Sequence, residues 1–376
     1  MIRSGFSGRT RMLWSKGFDM RVIALANQKG GCGKTTCATN LAAALATRNN
    51  KVLLIDNDPQ GHATLAYGFR ERDFSLSTYD LYLTSDILVE DAFLEVDRNL
   101  HLVPAGIELS AVEQELAREK DKERRLRNNL RRSAMPYDYV LIDCPPSVGL
   151  LTFNALLASG EVLIPVDPSY SSLQAVRKMR ETLAVLREKS GHDLVPHVVM
   201  SDFDTRPLFV RRIMAELDEE FGLELLDTIV HHTVRFREAA GLGQSVIRYD
   251  AESRGALDFR DLAREISGQE VDLEVSDLGR WETLLHGPRV VTDGLLFEAD
   301  FPGAKRVAVT GDFCSWSASG LPMSRRTDGV WECRLQLGSG QHQYRYIVDG
   351  TWLPDPSNAQ TVPNEFGGAN SVVVVA

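Results

Sequence analysis

Two lysines flank a glycine-rich turn near the start of the chain, in the segment QKGGCGKTT that runs from Gln28 to Thr36. The turn follows an apolar run of strand length and opens an alanine-rich helical pattern. In this context glycines let backbone N–H groups turn toward phosphates, and the N-terminus of a helix favours negative charge. The segment therefore predicts a nucleotide-binding phosphate loop made of Gly30, Gly31, Cys32, Gly33, Lys34, Thr35 and Thr36.

Three side chains of this loop have distinct expected roles. Lys34 is placed to reach the β- and γ-phosphates, the Thr35 hydroxyl to bind Mg²⁺, and Thr36 to contact the α-phosphate. A phosphate loop needs only one lysine. Lys29 therefore requires a separate explanation.

Carboxylates end two other apolar strands. The run YVLID ends in Asp143, which can hold Mg²⁺ through water beside the phosphate loop. The run VLLIDND ends in Asp56 and Asp58, one of which can orient the attacking water. Asp56 is also a possible Mg²⁺ ligand, and the alternative for both residues is that they only cap the turn.

Short apolar strands alternate with helical patterns over residues 20–267. This pattern predicts an α/β domain, a P-loop NTPase whose mostly parallel sheet is covered by helices on both faces. Residues 268–290 are acidic and irregular, which is typical of a linker. Residues 291–376 contain short strands separated by turn signals and predict an all-β, immunoglobulin-like sandwich.

Composition limits the function classes. The net charge of −10 argues against bulk attraction to nucleic acid, although an acidic protein can carry a local basic face. No apolar run suggests a membrane span or a signal peptide, so we expect a cytoplasmic protein without membrane contact. The basic residues 1–19 predict a disordered extension or a start codon placed too early; a DNA-binding arm and a weak amphipathic anchor are the alternatives.

The five cysteines lack the paired spacing of a zinc site. We interpret them as reduced thiols, with a metal cluster shared by two subunits as the alternative. They are Cys32, Cys37, Cys144, Cys314 and Cys333.

Four ordered motifs within residues 20–267 resemble the ParA/Soj/MinD group of deviant Walker ATPases. The motifs are KGGCGKTT, LLIDNDPQGHAT, YDYVLIDCPPS and VLIPVDPSYSSLQAV. The resemblance is closer to the ParA proteins of chromosome and plasmid partitioning than to MinD, because of the DPQG segment and the lack of a C-terminal amphipathic membrane helix.

The resemblance implies a function for the extra lysine. Lys29 matches the signature lysine, which in this family reaches across a homodimer into the partner's nucleotide. ATP with Mg²⁺ then joins two subunits, and slow, partner-stimulated hydrolysis separates them. Asp58 becomes the water-orienting residue and Asp56 an accessory, while Asp167 and Pro168 join the ATP site. At the position of the family's Pro-Arg-Asn, this chain has His231, His232 and Thr233, which leaves the adenine contacts open.

The family also implies nucleoid association through non-specific DNA binding, and a ParB-like activating protein. Phosphate contacts of this kind need no base readout and weaken with salt. The basic run KDKERRLRNNLRR is interpreted as an exposed helix instead. The DNA-binding candidates are Arg206, Arg211, Arg212, Arg235 and Arg237.

The C-terminal segment places two tryptophans on turns, in GDFCSWS and VDGTW. Aromatic faces suit glucose rings, but the composition by itself favours ordinary sandwich core. About residues 290–376 resemble the glycogen-binding domain of the AMP-activated kinase β subunit. Carried over by position, the sugar-binding residues are Trp316, Arg345, Trp352, Phe366 and Asn370.

Together these features predict a ParA-type ATPase that partitions or positions a cargo. The cargo is a chromosome, a plasmid, or a body that carries glycogen or another α-glucan. One alternative is an ATP-switched scaffold whose sandwich binds a protein, without DNA or glucan. Another is a metal-cluster or reductase-type relative of the same ATPases.

Overall fold

The computed structural model describes residues 20–203, 216–217, 221–268, 288–291, 294–299, 301, 303–326, 329–358, 360–364 and 368–375. The predicted extension 1–19 and most of the predicted linker 268–290 lie outside this part of the chain.

The described residues form two compact units. One contains those within residues 1–166, 174–199 and 233–263, and the other contains those within residues 167–173, 200–232 and 264–376. The predicted domain boundaries at 267 and 290 stay a prediction.

A mixed sheet of eight strands is built in the order β3-β4-β2-β5-β1-β6-β7-β8. Parallel pairs join β1 to β5 and β6, and join β2 to β4 and β5, whereas β3 runs antiparallel to β4. The strands are β1 (Arg21–Leu25), β2 (Val52–Asp56), β3 (Leu94–Asp97), β4 (Leu100–Val103), β5 (Tyr139–Asp143), β6 (Glu161–Val166), β7 (Val195–Phe203) and β8 (Leu225–His231).

Helices lie between most of these strands along the chain, as the alternating pattern predicts, whereas β4 follows β3 directly. In the described residues no helix combines the length and apolarity that crossing a membrane requires. The helices are α1 (Lys34–Thr47), α2 (His62–Ala66), α3 (Thr78–Leu83), α4 (Val89–Ala92), α5 (Val112–Glu115), α6 (Arg125–Arg132), α7 (Leu150–Ala158), α8 (Tyr170–Ser190), α9 (Arg235–Gly241), α10 (Val246–Tyr249) and α11 (Arg254–Ile266).

The central strands are apolar on both faces because helices cover both. Every residue of β2 and β5 is buried, and so are four of the five residues of β1. The register pairs Leu25 with Asp143 and Asp56 with Asp143. The carboxyl ends of β1, β5 and β2 therefore meet at one edge of the sheet, which confirms the predicted fold class and brings the three nucleotide motifs together.

Strands β3 and β4 form an antiparallel edge that the sequence pattern did not reveal. Each contains only four residues, and β3 has a half-exposed, alternating pattern. Short edge strands carry little periodic signal, so pattern reasoning favours the long buried strands.

The C-terminal strands form two sheets, in the orders β13-β14-β10-β9 and β12-β11-β15-β18-β17, with β16 paired to β15. Both sheets contribute to one core that includes Phe297, Val309, Trp331 and Tyr344, as predicted for a sandwich. The strands are β9 (Arg289–Val291), β10 (Gly294–Ala299), β11 (Val307–Gly311), β12 (Leu321–Pro322), β13 (Ser324–Arg325), β14 (Trp331–Leu335), β15 (Gly340–Val348), β16 (Thr351–Leu353), β17 (Thr361–Pro363) and β18 (Ala369–Val375).

Candidate functional site

The glycine-rich turn lies between β1 and α1. Gly31 and Gly33 have φ angles of 77° and 85°, in the left-handed region that favours glycine. Gly33 is the residue before the first turn of α1, and its carbonyl accepts the N–H of Cys37. The backbone at this turn therefore has the conformation that a phosphate loop needs, directly at the N-terminus of a helix.

The two lysines of the loop are connected through its backbone. The Lys34 ammonium is buried and donates a 2.9 Å hydrogen bond to the carbonyl oxygen of Lys29. The N–H of Lys29 donates to the Asn27 side chain, and the Asn27 amide donates to the carbonyl of Pro165 in β6. These bonds fix the backbone of Lys29 while its side chain is half-buried.

Asp143, at the end of β5, has both carboxylate oxygens buried without a hydrogen-bond partner among the described residues. Burial raises the pKa of Asp143 well above its usual range, and the nearby Asp56 carboxylate raises it further. The hydroxyl of Thr35 and the ammonium of Lys34 lower the pKa of Asp143 and so oppose this rise. A buried, unpartnered carboxylate next to a hydroxyl is a donor set that fits Mg²⁺, directly or through water.

Asp56 and Asp58 differ in their partners. Asp56 is fully buried and accepts bonds from the Thr64 N–H and hydroxyl and from the Asp58 N–H. Burial raises the pKa of Asp56 to about 6, although these hydrogen bonds oppose the rise. Asp58 accepts one bond, from the N–H of Gln60 to Oδ1. The structure therefore ties Asp56 into the turn and leaves Asp58 with more capacity to accept a new donor.

The cysteines around the loop are buried and free. Cys32 donates its thiol to the carbonyl of Lys29, and Cys144 directly follows Asp143. Burial raises the pKa of the Cys37 and Cys144 thiols well above their ordinary values. Protonated thiols fit the interpretation of reduced, structural cysteines.

Two other predicted nucleotide contacts follow strands of the same sheet. Asp167 and Pro168 come directly after β6 and are half-buried. His231 ends β8 and is half-buried, while His232 is exposed. Their contacts with a nucleotide stay a prediction.

The DNA-binding candidates separate into two groups. Arg206, Arg211 and Arg212 lie outside the described residues. Arg235 and Arg237 are exposed on α9, but Arg235 is paired with Glu238 at 2.8 Å and Asp250 at 3.4 Å. In the described part of the chain Arg237 has no ion pair, so its charge is the more available of the two.

In the sandwich the two tryptophans come together. The rings of Trp316 and Trp352 are half-buried, with centroids 6.4 Å apart and planes inclined by 23°. Ser315 and Trp316 both have positive φ angles, of 50° and 54°. A left-handed conformation costs about 1–2 kcal/mol for a residue other than glycine, so the loop holds the Trp316 ring in place against an intrinsic preference.

The polar candidates lie on the same outer face of the sheet. Arg345 donates to the backbone carbonyl of Trp352 at 2.7 Å, and its Nε is buried without a partner among the described residues. Asn370 is 8% exposed, donates to Gln343 and accepts from Asn364. The structure thus brings Trp316, Trp352 and Arg345 together and makes Asn370 part of an amide network. Phe366 lies outside the described residues.

Sequence reasoning missed the supporting residues Asn27, Asn57 and Thr64. Asn57 lies between the two carboxylates and donates to the carbonyl of Leu151, while Thr64 binds Asp56. Their polar side chains beside buried strands were a signal, but only the tertiary fold supplies their partners.

Both parts of the chain match known protein families. Residues 20–195 match the family model of an AAA domain, and residues 299–376 match the glycogen recognition site of AMP-activated protein kinase. The sequence is 37% identical over 248 residues to the sporulation initiation inhibitor protein Soj of Bacillus subtilis, a match that covers 66% of this chain and 98% of Soj. It is 37% identical over 247 residues to the chromosome partitioning protein ParA of Myxococcus xanthus. That match covers 65% of this chain and 87% of ParA.

Solved structures share the fold. Cobyrinic acid a,c-diamide synthase from Mycobacterium smegmatis, with bound ATP analog and magnesium, has a TM-score of 0.57 and 28% identity and covers 67% of this chain and 98% of that chain. The septum site-determining protein MinD from Pyrococcus horikoshii, complexed with Mg-ADP, has a TM-score of 0.53 and 25% identity. The match covers 66% of this chain and 96% of the MinD chain. Because Soj is matched over nearly its whole length, the chain belongs to the ParA/Soj family of P-loop ATPases.

Proposed function

We propose that this protein is an ATP-dependent dimer switch that binds and hydrolyses ATP with Mg²⁺ and positions a cargo. The observation that carries the proposal is the combination of two lysines on one glycine turn with the buried, unpartnered carboxylate of Asp143. The ATP analog and magnesium in a structural neighbour support the same ligands. Thr35 and Asp143 would hold Mg²⁺, which when bound offsets the negative charge of the phosphates.

The residues of the chain divide the remaining work. Lys34 is placed by the loop to bind the phosphates of its own nucleotide. Asp58 orients the attacking water with its available carboxylate capacity, and Asp56 keeps the turn in shape through Thr64. Lys29 supplies a second cation to the nucleotide of the partner subunit.

DNA binding through α9 is the proposed means of localisation to the nucleoid in the cytoplasm, with a ParB-like protein as activator. Two facing protomers double the number of phosphate contacts, so binding should require ATP. Arg237 supports the proposal because it is exposed and has no ion pair in the described residues. Arg235 contributes less, since Glu238 and Asp250 already neutralise it.

Arg237→Ala is expected to weaken ATP-dependent DNA binding by about 3- to 10-fold and to reduce the salt dependence, because it removes one phosphate contact per protomer. Fluorescence anisotropy with a labelled random-sequence duplex, titrated with and without ATP at several salt concentrations, measures both effects. Arg235→Ala should have a smaller effect, and the exposed Arg98→Ala serves as the control for loss of charge. Affinity that is independent of ATP, or equal in Arg237→Ala and Arg98→Ala, would refute the role of α9.

The sandwich is proposed to select a cargo that carries glycogen or a related α-glucan. The paired tryptophan rings and the left-handed backbone at Trp316 form a stacking surface. The half-buried Arg345 side chain, whose Nε is buried without a partner in the described residues, adds a polar donor. Such a face suits a hexose ring, which is apolar on its faces and hydroxylated at its edge.

Wild-type protein is expected to be retained on glycogen beads, and Trp316→Ala with Trp352→Ala should lose at least 10-fold in retention because the stacking surface is removed. Val374→Ala, an exposed position in β18, is the matched control and should bind normally. Thermal unfolding of each variant checks that the sandwich is intact. No retention of the wild type would reject glucan as the cargo and favour a scaffold whose sandwich binds a protein.

A further inference from the structure

A pocket of about 280 Å³ lies between α3 and α6, apart from the phosphate loop. Its volume is just below the range of about 300–1,000 Å³ that is usual for ligand pockets, so it suits a molecule of only a few atoms. The pocket is lined by residues of α3, of the segment that follows α3, and of the basic run before and within α6. The polar and charged residues among them include Tyr82, Lys120, Arg125, Asn128, Asn129 and Arg132.

The lining of this pocket is cationic although the whole chain is acidic. Three cations face one anion, Asp121, in a protein whose net charge is −10. Arg125 is paired with Glu119 at 3.2 Å, and Lys120 has no ion pair in the described part of the chain. This local excess of positive charge would be relieved by an anion, and guanidinium groups match phosphate oxygens well.

Asn129 adds a requirement for a hydrogen-bond donor. Its side chain is 4% exposed, and its Nδ2 donates to the carbonyl of Ile87 at 2.7 Å. Its Oδ1 is buried and has no partner among the described residues. A buried acceptor without a partner is costly, so a ligand that carries a hydroxyl near its phosphate would satisfy a group that the protein leaves unpaired.

Helix α3 connects this pocket to the turn that contains the two carboxylates. Thr78, at the start of α3, donates its hydroxyl to the carbonyl of Asp56 at 2.7 Å. Tyr82, which lines the pocket, donates its hydroxyl to the side chain of Asn57 at 2.9 Å. Asn57 lies directly before Asp58. A shift of α3 on ligand binding would therefore act on the residue proposed to orient water.

We propose that this pocket binds a small hydroxylated phosphate ester, and that its occupancy changes the rate of ATP hydrolysis through α3. The binding stands on the pocket alone. The effect on rate rests on the proposed ATPase activity, and the two parts are tested separately.

Binding is tested by isothermal titration calorimetry of the full chain with its nucleotide site saturated by Mg-ADP, so that the phosphate loop does not compete. Glucose 6-phosphate and glycerol 3-phosphate are the probes, and glucose is the uncharged control. We expect one additional site for the phosphate esters. Glucose should show no site in the Trp316→Ala/Trp352→Ala variant, in which the proposed sugar face of the sandwich is removed. Lys120→Gln with Arg132→Gln should weaken binding at least 10-fold, while Arg131→Gln, which removes a charge from the same helix outside the pocket, should change it less than 2-fold.

Lys120→Gln alone provides a second variant, because Arg132 also donates to the carbonyl of Ser85 and its loss could disturb that segment. Absence of binding by the wild type, or equal affinity in Lys120→Gln and Arg131→Gln, would overturn the site.

The coupling is tested by phosphate release with and without saturating ester. We expect at least a 2-fold change of turnover in the wild type, and no change in Tyr82→Phe, which removes only the hydroxyl that reaches Asn57. Where Tyr82→Phe is unstable, Thr78→Val tests the other contact of α3, because Thr78 donates to the carbonyl of Asp56 and does not line the pocket. Binding without any change in wild-type turnover would overturn the coupling, whereas a protein without ATPase activity would instead refute the proposed function.

Discussion

Lys29→Ala is expected to abolish ATP-dependent dimerisation while each subunit still binds ATP. The contacts that shape the loop run through the Lys29 backbone: its N–H donates to Asn27, and its carbonyl accepts from Lys34 and Cys32. Alanine keeps all three, so the phosphate loop should survive. What is lost is the cation proposed to meet the partner's nucleotide, and removal of one member of a desolvated charge pair costs about 2–5 kcal/mol.

The symmetric dimer loses two such contacts, which predicts dimerisation weakened at least about 100-fold. Light scattering coupled to size exclusion, with a slowly hydrolysed ATP analog, measures the dimer, and a fluorescent nucleotide measures binding by the monomer. Lys51→Ala, which changes an exposed lysine directly before β2, is the control. Lys34→Ala should differ from Lys29→Ala by losing nucleotide binding itself. A Lys29→Ala protein that dimerises like the wild type would sink the proposal of an inter-subunit lysine.

Asp58→Ala is expected to reduce ATP turnover about 100-fold or more, which is the contribution typical of a positioned general base. The dimer should then persist in ATP, because hydrolysis is the step proposed to separate the subunits. Phosphate release measures the turnover, and light scattering over time measures the lifetime of the dimer.

Two comparison variants sharpen this test. Glu71→Ala removes an exposed carboxylate and should leave turnover unchanged. Asp56→Ala removes the acceptor of three hydrogen bonds, so it should lower the unfolding temperature as well as the rate. Normal turnover in Asp58→Ala, or loss of rate only in Asp56→Ala, would reverse the roles assigned to the two carboxylates.

The predictable parts of the fold are those with strong local signals. The buried strands β1, β2, β5 and β6 are continuous apolar runs. The strands of the sandwich are short and are separated by turn residues. The edge strands β3 and β4 were not predicted, because four residues give little periodicity. The pairing of β4 also depends on β2, which is distant in sequence.

The nucleotide site was predictable for a related reason. Its glycines and Lys34 follow the carboxyl end of β1, and Asp143 ends β5. The carboxyl ends of parallel strands meet at one edge of the sheet whatever the details of packing. Spacing along the chain was therefore enough to place them together. Arg237 and Arg235 were equivalent in sequence, and only the nearby Glu238 and Asp250 distinguish them.

The sequence by itself determined the fold class, the phosphate loop, its second lysine and the two tryptophans of the sandwich, because each depends on residue type and local spacing. Only the tertiary structure decided that Asp56 is held by Thr64 while Asp58 has acceptor capacity, that Asn370 is part of an amide network, and that α3 joins a cationic pocket to Asn57. These properties depend on hydrogen bonds between residues far apart in the chain. Such partners become neighbours only when the helices and strands pack.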